Sequence, residues 1–242
     1  MRGYFSYITE SLINLTYLLE NNDREIIYYH DLNNIPGYGV GNIFDICFKQ
    51  NSNDYFNNKN EYIDIEKVQK KSFDVYDLNS LGDNFRTLTE KVVKKYFILK
   101  EEYVKLFDDR IKDLDFKNII GVHRRSTDIR FHMPVVPLEN IFYEIDNSSY
   151  SHIFLMCDNL IDYEKFKEKY GDKLICFDNY LSKNSFLPFF KNKNTEDDIK
   201  NHIIELIFGV LTLSKVKYFI CSRSNISSFV ILSNSELKYK IL

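Results

Sequence analysis

The sequence has no surplus of positive charge: 32 Lys and Arg against 35 Asp and Glu leave a formal net charge of -3. That balance excludes a general nucleic-acid binder, whose phosphate footprint needs a basic excess. No segment approaches the ~20 uninterrupted apolar residues of a membrane-spanning helix. Near the N-terminus Thr9, Glu10, Ser11 and Asn14 break up the apolar positions, so no secretory signal is expected. The four cysteines, Cys47, Cys157, Cys176 and Cys221, are far apart and form no Cys-x-x-Cys pattern. Three of them lie in apolar, strand-like runs, and the expectation is reduced, buried thiols in a cytoplasmic protein. Arginine is scarce as well. The chain has only eight, yet Arg124, Arg125 and Arg130 fall within seven residues. In a protein that otherwise uses Lys for surface charge, this cluster asks for a reason.

What is present is ordinary material for a folded protein, with 242 residues of which 44% are hydrophobic and 28% charged. That length suits one large or two small domains. Phe5, Ile8, Leu12, Leu15 and Leu19 recur at spacings of three and four and predict a helix over 4 to 20. A strand is expected over Glu25 to Tyr29 and a turn over Pro36 to Asn42, whose Gly-x-Gly-x-Gly spacing is too weak to read as a phosphate cradle. A short helix through Ile43, Phe44 and Phe48 follows. Residues 49 to 83 are loop-like, with one strand at Tyr62 to Ile65. The helical period returns as a single helix from Asn84 to Leu114, and Lys112 to Lys117 reads as a domain connector.

Beyond it the pattern alternates. Strands are predicted at Ile119 to Val122, His152 to Met156, Lys173 to Phe177 and Tyr218 to Cys221. Helices are predicted at Leu138 to Ile145, Tyr163 to Tyr170, Asp197 to Leu213 and Ile226 to Leu232. Strands alternating with helices imply a parallel sheet, which binds ligands outside the carboxyl ends of its strands. The polar clusters all follow such strands: His123 to Asp128 after the first, Asp158-Asn159 after the second, Ser222 to Asn225 after the fourth. The last of these opens a helix, whose free N–H groups favour an anion. With Arg125 it would form a pocket for a phosphate or diphosphate, since guanidinium groups bind phosphate oxygens bidentately. An ordinary helix cap at Ser224 or Asn225 is the plainer reading of that turn.

The run Gly121-Val122-His123-Arg124-Arg125-Ser126-Thr127-Asp128 resembles the Gly-Val-His-x-Arg-x-Thr-Asp motif of the fucosyltransferase superfamily. The strand His152 to Asn159 is similar to that group's strand ending in Thr-Asp-Asp or Thr-Asp-Asn. Leu213-Ser214 followed by Tyr218 to Ser227 resembles its C-terminal Leu-Ser, strand and Ser-Ser-Asn-x-Ser turn. Weaker similarity lies at Gly3 to Ser6 and Gly41 to Phe44. The resemblance implies an α/β protein of GT-B type with two Rossmann-like domains: an acceptor-side domain over 1 to 114 and a nucleotide-sugar-binding domain over 115 to 242. It implies an inverting, metal-independent glycosyltransferase with no cofactor beyond its nucleotide-sugar donor, most simply GDP-fucose. The acceptor would be a glycan or cell-surface precursor hydroxyl, and peripheral association with a membrane is left open.

By the same resemblance Arg125 corresponds to the essential arginine and His123 to a nucleotide contact. Ser222, Ser224, Asn225 and Ser227 correspond to the phosphate-binding turn, Asp158 to a donor-site residue, and Asp128 to a residue that shapes the arginine loop. Without a metal, a guanidinium and helix amides must carry the leaving group's charge. Departures are informative. Members of the group place an Asp, able to recognise guanine, where this chain has Gly209, and Glu205 one turn earlier is the candidate substitute carboxylate. A possible base, Glu in some members, is Met133 here, and His132 is the neighbouring group with a suitable pKa. These departures keep two alternatives in play: the same fold with another nucleotide sugar, and a non-catalytic nucleotide or glycan-binding module. A chain this short after its last motif helix is expected to be a minimal fold or to lack a strand and a crossing helix.

Overall fold

The computed structural model describes residues 4–20, 44–49, 83–127, 134–177, 181 and 195–242. Among these residues eight α-helices and five strands follow in the order α1 (Tyr4–Glu20), α2 (Phe44–Cys47), α3 (Asp83–Tyr96), α4 (Glu101–Ile111), β1 (Ile119–Arg124), α5 (Leu138–Asp146), β2 (His152–Cys157), α6 (Leu160–Tyr170), β3 (Leu174–Ile175), α7 (Glu196–Leu213), β4 (Tyr218–Cys221), α8 (Asn225–Ser233) and β5 (Lys238–Ile241). The strands form one parallel sheet in the order β3-β2-β1-β4-β5. This is the strand order of the nucleotide-binding doubly wound folds, in which the chain reverses its direction of travel between β1 and β4.

Side chains alternate across β1, and the alternation assigns each residue to one of two cores. Ile120 and Val122 face a cluster built with Leu138, Ile141 and Ile145 of α5 and Phe166 of α6. Ile119 faces the larger cluster, which gathers Phe5, Ile8 and Leu12 of α1, Val92 of α3, Phe208 of α7 and Phe229 of α8. Gly121 is required there, because a Cβ would meet Leu213 at 2.8 Å and Val216 at 2.9 Å. The short α8 is apolar nearly all round and is buried from Ser227 to Leu232, as a helix enclosed by other elements must be. Phe229 is its anchor, edge-on to Phe5 and to Phe97 at 5.5 Å each. The hydroxyl of Thr9 on α1 donates to the Asn225 carbonyl at 3.0 Å, tying α1 to the first turn of α8.

Several expectations change. The predicted helix over 84 to 114 is two helices, because Leu99 bridges to Phe48 and Lys100 takes extended backbone before α4 begins. Described residues on either side of the expected connector share one cluster, Phe5, Val92 and Phe97 packing with Phe208 and Phe229. Among the described residues there is one sheet. A strand not read from the sequence, β5, pairs with β4 from Tyr218↔Lys238 to Cys221↔Ile241. Arg86 of α3 holds the turn that leads into it, donating from Nη2 to the carbonyls of Asn234 at 2.9 Å and Leu237 at 3.1 Å. None of the four cysteines is in a disulfide, Cys47 and Cys221 being buried and Cys157 and Cys176 only half-buried. The strands expected at 25 to 29 and 62 to 65 and the turn at 36 to 42 lie outside the described residues.

Candidate anion and donor site

The candidate site lies where β1, β2 and β4 end side by side, at the reversal point of the sheet. β1 carries His123 and Arg124 on opposite faces. His123 points to the α8 side and is 3% exposed. Its Nδ1 lies 2.8 Å from Ser227 Oγ and 3.2 Å from Ser224 Oγ. Ser227 Oγ also lies 2.7 Å from the carbonyl of Ser222, which can only accept, so the Ser227 proton is spent there. The bond to the imidazole therefore runs from Nδ1–H to Ser227, and Nε2 is left as the unprotonated nitrogen. Burial, and next the Arg125 guanidinium, push the His123 pKa down to about 3, so the ring is neutral near pH 7.

Ser224 is the N-cap of α8. Its backbone is extended and its Oγ accepts the Ser227 N–H at 3.0 Å. The hydroxyls of Ser224 and Ser227 are thus committed to one another and to His123. What this turn offers a ligand is the N–H groups of Asn225 and Ile226, which have no acceptor within the helix, and the positive end of its dipole. The plainer reading of Ser224 as a cap is therefore correct for its side chain, and compatible with an anion site for the backbone.

Arg124 turns to the other face. Its guanidinium is buried, with Nε 2.9 Å from Asp162 Oδ2 and Nη1 donating to the Val136 carbonyl. Arg125 leaves the strand half-buried, at the mouth between the ends of β1 and β4. Its backbone N–H donates to Ser222 Oγ at 3.1 Å. Behind it, Asp158 at the end of β2 accepts from the Ser126 N–H at 2.9 Å and from the Thr127 N–H and hydroxyl at 3.3 and 2.6 Å. Burial holds the Asp158 carboxyl above its ordinary range, against the pull of these bonds and of Arg125. Asn159 caps α6, its Oδ1 accepting from Ile161 at 2.8 Å and Asp162 at 3.3 Å.

Gly209 and Glu205 are the two positions of the expected guanine carboxylate and its substitute. A Cβ at Gly209 would fall 2.7 Å from the sulfur of Met156, so the thioether fills the space that a side chain at 209 would use. Met156 is the cross-strand partner of His123. Glu205 does not stand ready as a substitute, because both its oxygens receive Arg110 Nη1 in an ion pair between α4 and α7. Asp128, Arg130, His132 and Met133 lie outside the described residues. Among the described residues no group of His, Cys, Asp and Glu is placed to hold a metal ion, and no helix is long and apolar enough to cross a membrane.

The fold is fucosyltransferase-like. A crystal structure of the fucosyltransferase NodZ from Bradyrhizobium superposes with a TM-score of 0.55 at 12% identity, over 93% of this chain and 88% of that one. Another, the NodZ alpha-1,6-fucosyltransferase co-crystallised with GDP, matches at a TM-score of 0.43 and 14% identity over 63% of this chain. POFUT1 in complex with GDP matches at 0.39 and 10% identity over 65%. The chain spans about half the length of these last two, 46% and 49%. No protein-family model matches the sequence, and no curated protein sequence does either.

The structure brings His123, Arg125, Asp158, Ser222, Ser224, Asn225 and Ser227 to one end of the sheet. The sequence reading did not find the Arg124–Asp162 pair, the Asp158–Thr127 bonds or the packing of Met156 on Gly209. A signal for the first was available: a strand residue two places after Val122 belongs on the same face, so Arg124 had to enter the α5–α6 side with a partner.

Proposed function

We propose that this protein is an inverting, metal-independent glycosyltransferase that uses a nucleotide diphosphate sugar, with GDP-fucose the leading donor and a glycan or cell-surface precursor hydroxyl the acceptor. The observation that carries the reading is the placement of Arg125 beside the N-terminus of α8, at the sheet's reversal point between β1 and β4. In this reading the acceptor oxygen attacks the anomeric carbon, the bond from that carbon to the β-phosphate oxygen breaks, and the diphosphate leaves with its added charge. Arg125 and the first-turn N–H groups of α8 take up that charge. Neutral His123 offers Nε2 as an acceptor to a hydroxyl or N–H of the nucleotide. His132 takes the acceptor proton, residues 1 to 114 supply the acceptor side, and the reaction takes place in the cytoplasm.

A second reading keeps the chemistry and changes the base. It is favoured by Met156 filling the space beside Gly209 and by the engagement of Glu205 with Arg110, so that neither of these two positions offers a carboxylate to guanine N–H groups. Calorimetric titration with GDP-, UDP-, ADP- and CMP-sugars separates the readings. Tight binding of GDP-fucose supports the first, preference for another nucleotide the second, and binding without transfer to any glycan a binding module. Failure to bind any of them rejects the donor site.

A further inference from the structure

We propose that Asp158 is a positioning residue, whose carboxylate holds the exit of β1 so that Arg125 faces the diphosphate. The inference rests on the donor reading above and goes beyond it by removing Asp158 from the donor-contacting set. A carboxylate one strand away from an anion site has the wrong charge to contact the phosphates. Its bonds supply another role. Of the roughly four lone-pair directions of a carboxylate, three are taken by the turn: Ser126 N–H at 2.9 Å, Thr127 N–H at 3.3 Å and Thr127 O–H at 2.6 Å. Ser126 and Thr127 are 2% and 0% exposed, so these donors have no water to fall back on.

The geometry is two-sided. β1 lies between β2 and β4, and each neighbour reaches over to the chain as it leaves β1. From β4, Ser222 Oγ accepts the N–H of Arg125 itself; from β2, Asp158 accepts the next two N–H groups. Residues 125 to 127 are therefore pinned at three successive amides. A guanidinium on a pinned backbone loses less freedom when it engages a ligand, which is where preorganisation yields affinity.

The test is a double-mutant cycle on binding. Affinities for GDP and for inorganic pyrophosphate are measured by calorimetry, well below the melting transition, for wild type, Asp158→Asn, Arg125→Ala and the double variant. Asn keeps one acceptor for Ser126 but presents an NH₂ where the Thr127 amide needs an oxygen. The expected result is about tenfold weaker binding of both probes in Asp158→Asn, and no further loss when the same change is made in Arg125→Ala, because its effect passes through that guanidinium. Equal losses in both backgrounds, or unchanged affinity in Asp158→Asn, overturn the proposal. If Asp158→Asn does not fold, Thr127→Val, which removes only the hydroxyl donor, takes its place in the cycle with the same expected non-additivity. Wild-type protein that binds neither probe rejects the donor reading itself, and the positioning role falls with it.

Discussion

On the α6 side of β1 the guanidinium of Arg124 is closed inside the protein, its charge met by Asp162 and its remaining reach by the Val136 carbonyl. One residue later, past the strand's end, the Arg125 side chain stands half-buried at the mouth of the sheet while its backbone is held from both neighbouring strands. The same side-chain chemistry serves two purposes because strand alternation decides the first and the strand's end decides the second. Where β1 still pairs, a charge must be neutralised by a fixed partner. Where pairing ends, Arg125 is half-buried, and its charge acts on both His123 and Asp158.

The largest expected effects lie on this pair. Arg124→Ala leaves Asp162 buried without its partner, and breaking a buried pair from one side costs about 3–5 kcal/mol. Urea unfolding should show that loss directly. Arg125→Ala should leave the unfolding midpoint close to wild type and weaken nucleotide diphosphate binding and turnover by about 10²-fold or more, the usual scale for removing a transition-state charge donor. If the two phenotypes were exchanged, with Arg124→Ala stable but inactive, the contrast between a structural and a ligand-facing arginine would be wrong.

How far this contrast could be read from the sequence depends on what each feature needs. Strand and helix order from Ile119 onward follows from local periodicity, and all four strands and four helices predicted there are present, β4 with the predicted ends and the others with one or both ends shifted. The convergence of His123, Arg125 and the Ser222 to Ser227 turn was legible too, because parallel strands deliver their exits to one edge. What escaped was whatever depends on a partner distant in the chain. The break at Phe97 to Lys100 comes from pairing with Phe48, and Asp158 is spent on Thr127 because β2 happens to end beside β1. β5 has only four residues and alternates charged with apolar side chains, which is a weak local signal until β4 supplies its partner.

Gly209 offers a medium-sized test on the other face of the sheet. An added Cβ would meet Met156 at its sulfur, Cε and Cγ, at 2.7, 3.0 and 3.1 Å. Overpacking of this kind costs ~1–3 kcal/mol, partly offset by the ~1 kcal/mol advantage of Ala over Gly in a helix. Gly209→Ala should therefore lower stability by about 1 kcal/mol in thermal or urea unfolding. In a Met156→Ala background the same change should be neutral or favourable, since the thioether no longer occupies the space. An unchanged penalty in that background would mean that the glycine is required by the backbone and not by Met156.

The smallest effect is one of slope against pH. In the folded protein the His123 pKa lies at about 3, against 6.5 for the unperturbed group. As pH falls below about 6.5 the unfolded chain takes up the proton first, so stability is lost progressively between about pH 6.5 and pH 3. By pH 5 this loss reaches roughly 1–2 kcal/mol for one such group. His202, which burial pushes down to about 4, acts with the same sign. Asp158, which burial pushes up, opposes both at the acid end. The informative quantity is therefore a difference: between pH 7 and pH 5 the melting temperature should fall less in His123→Gln than in wild type, whatever the variant's absolute stability. Parallel slopes would mean that the His123 pKa is not depressed in the folded protein, with the imidazole charged by pH 5 and Nε2 no longer an acceptor there.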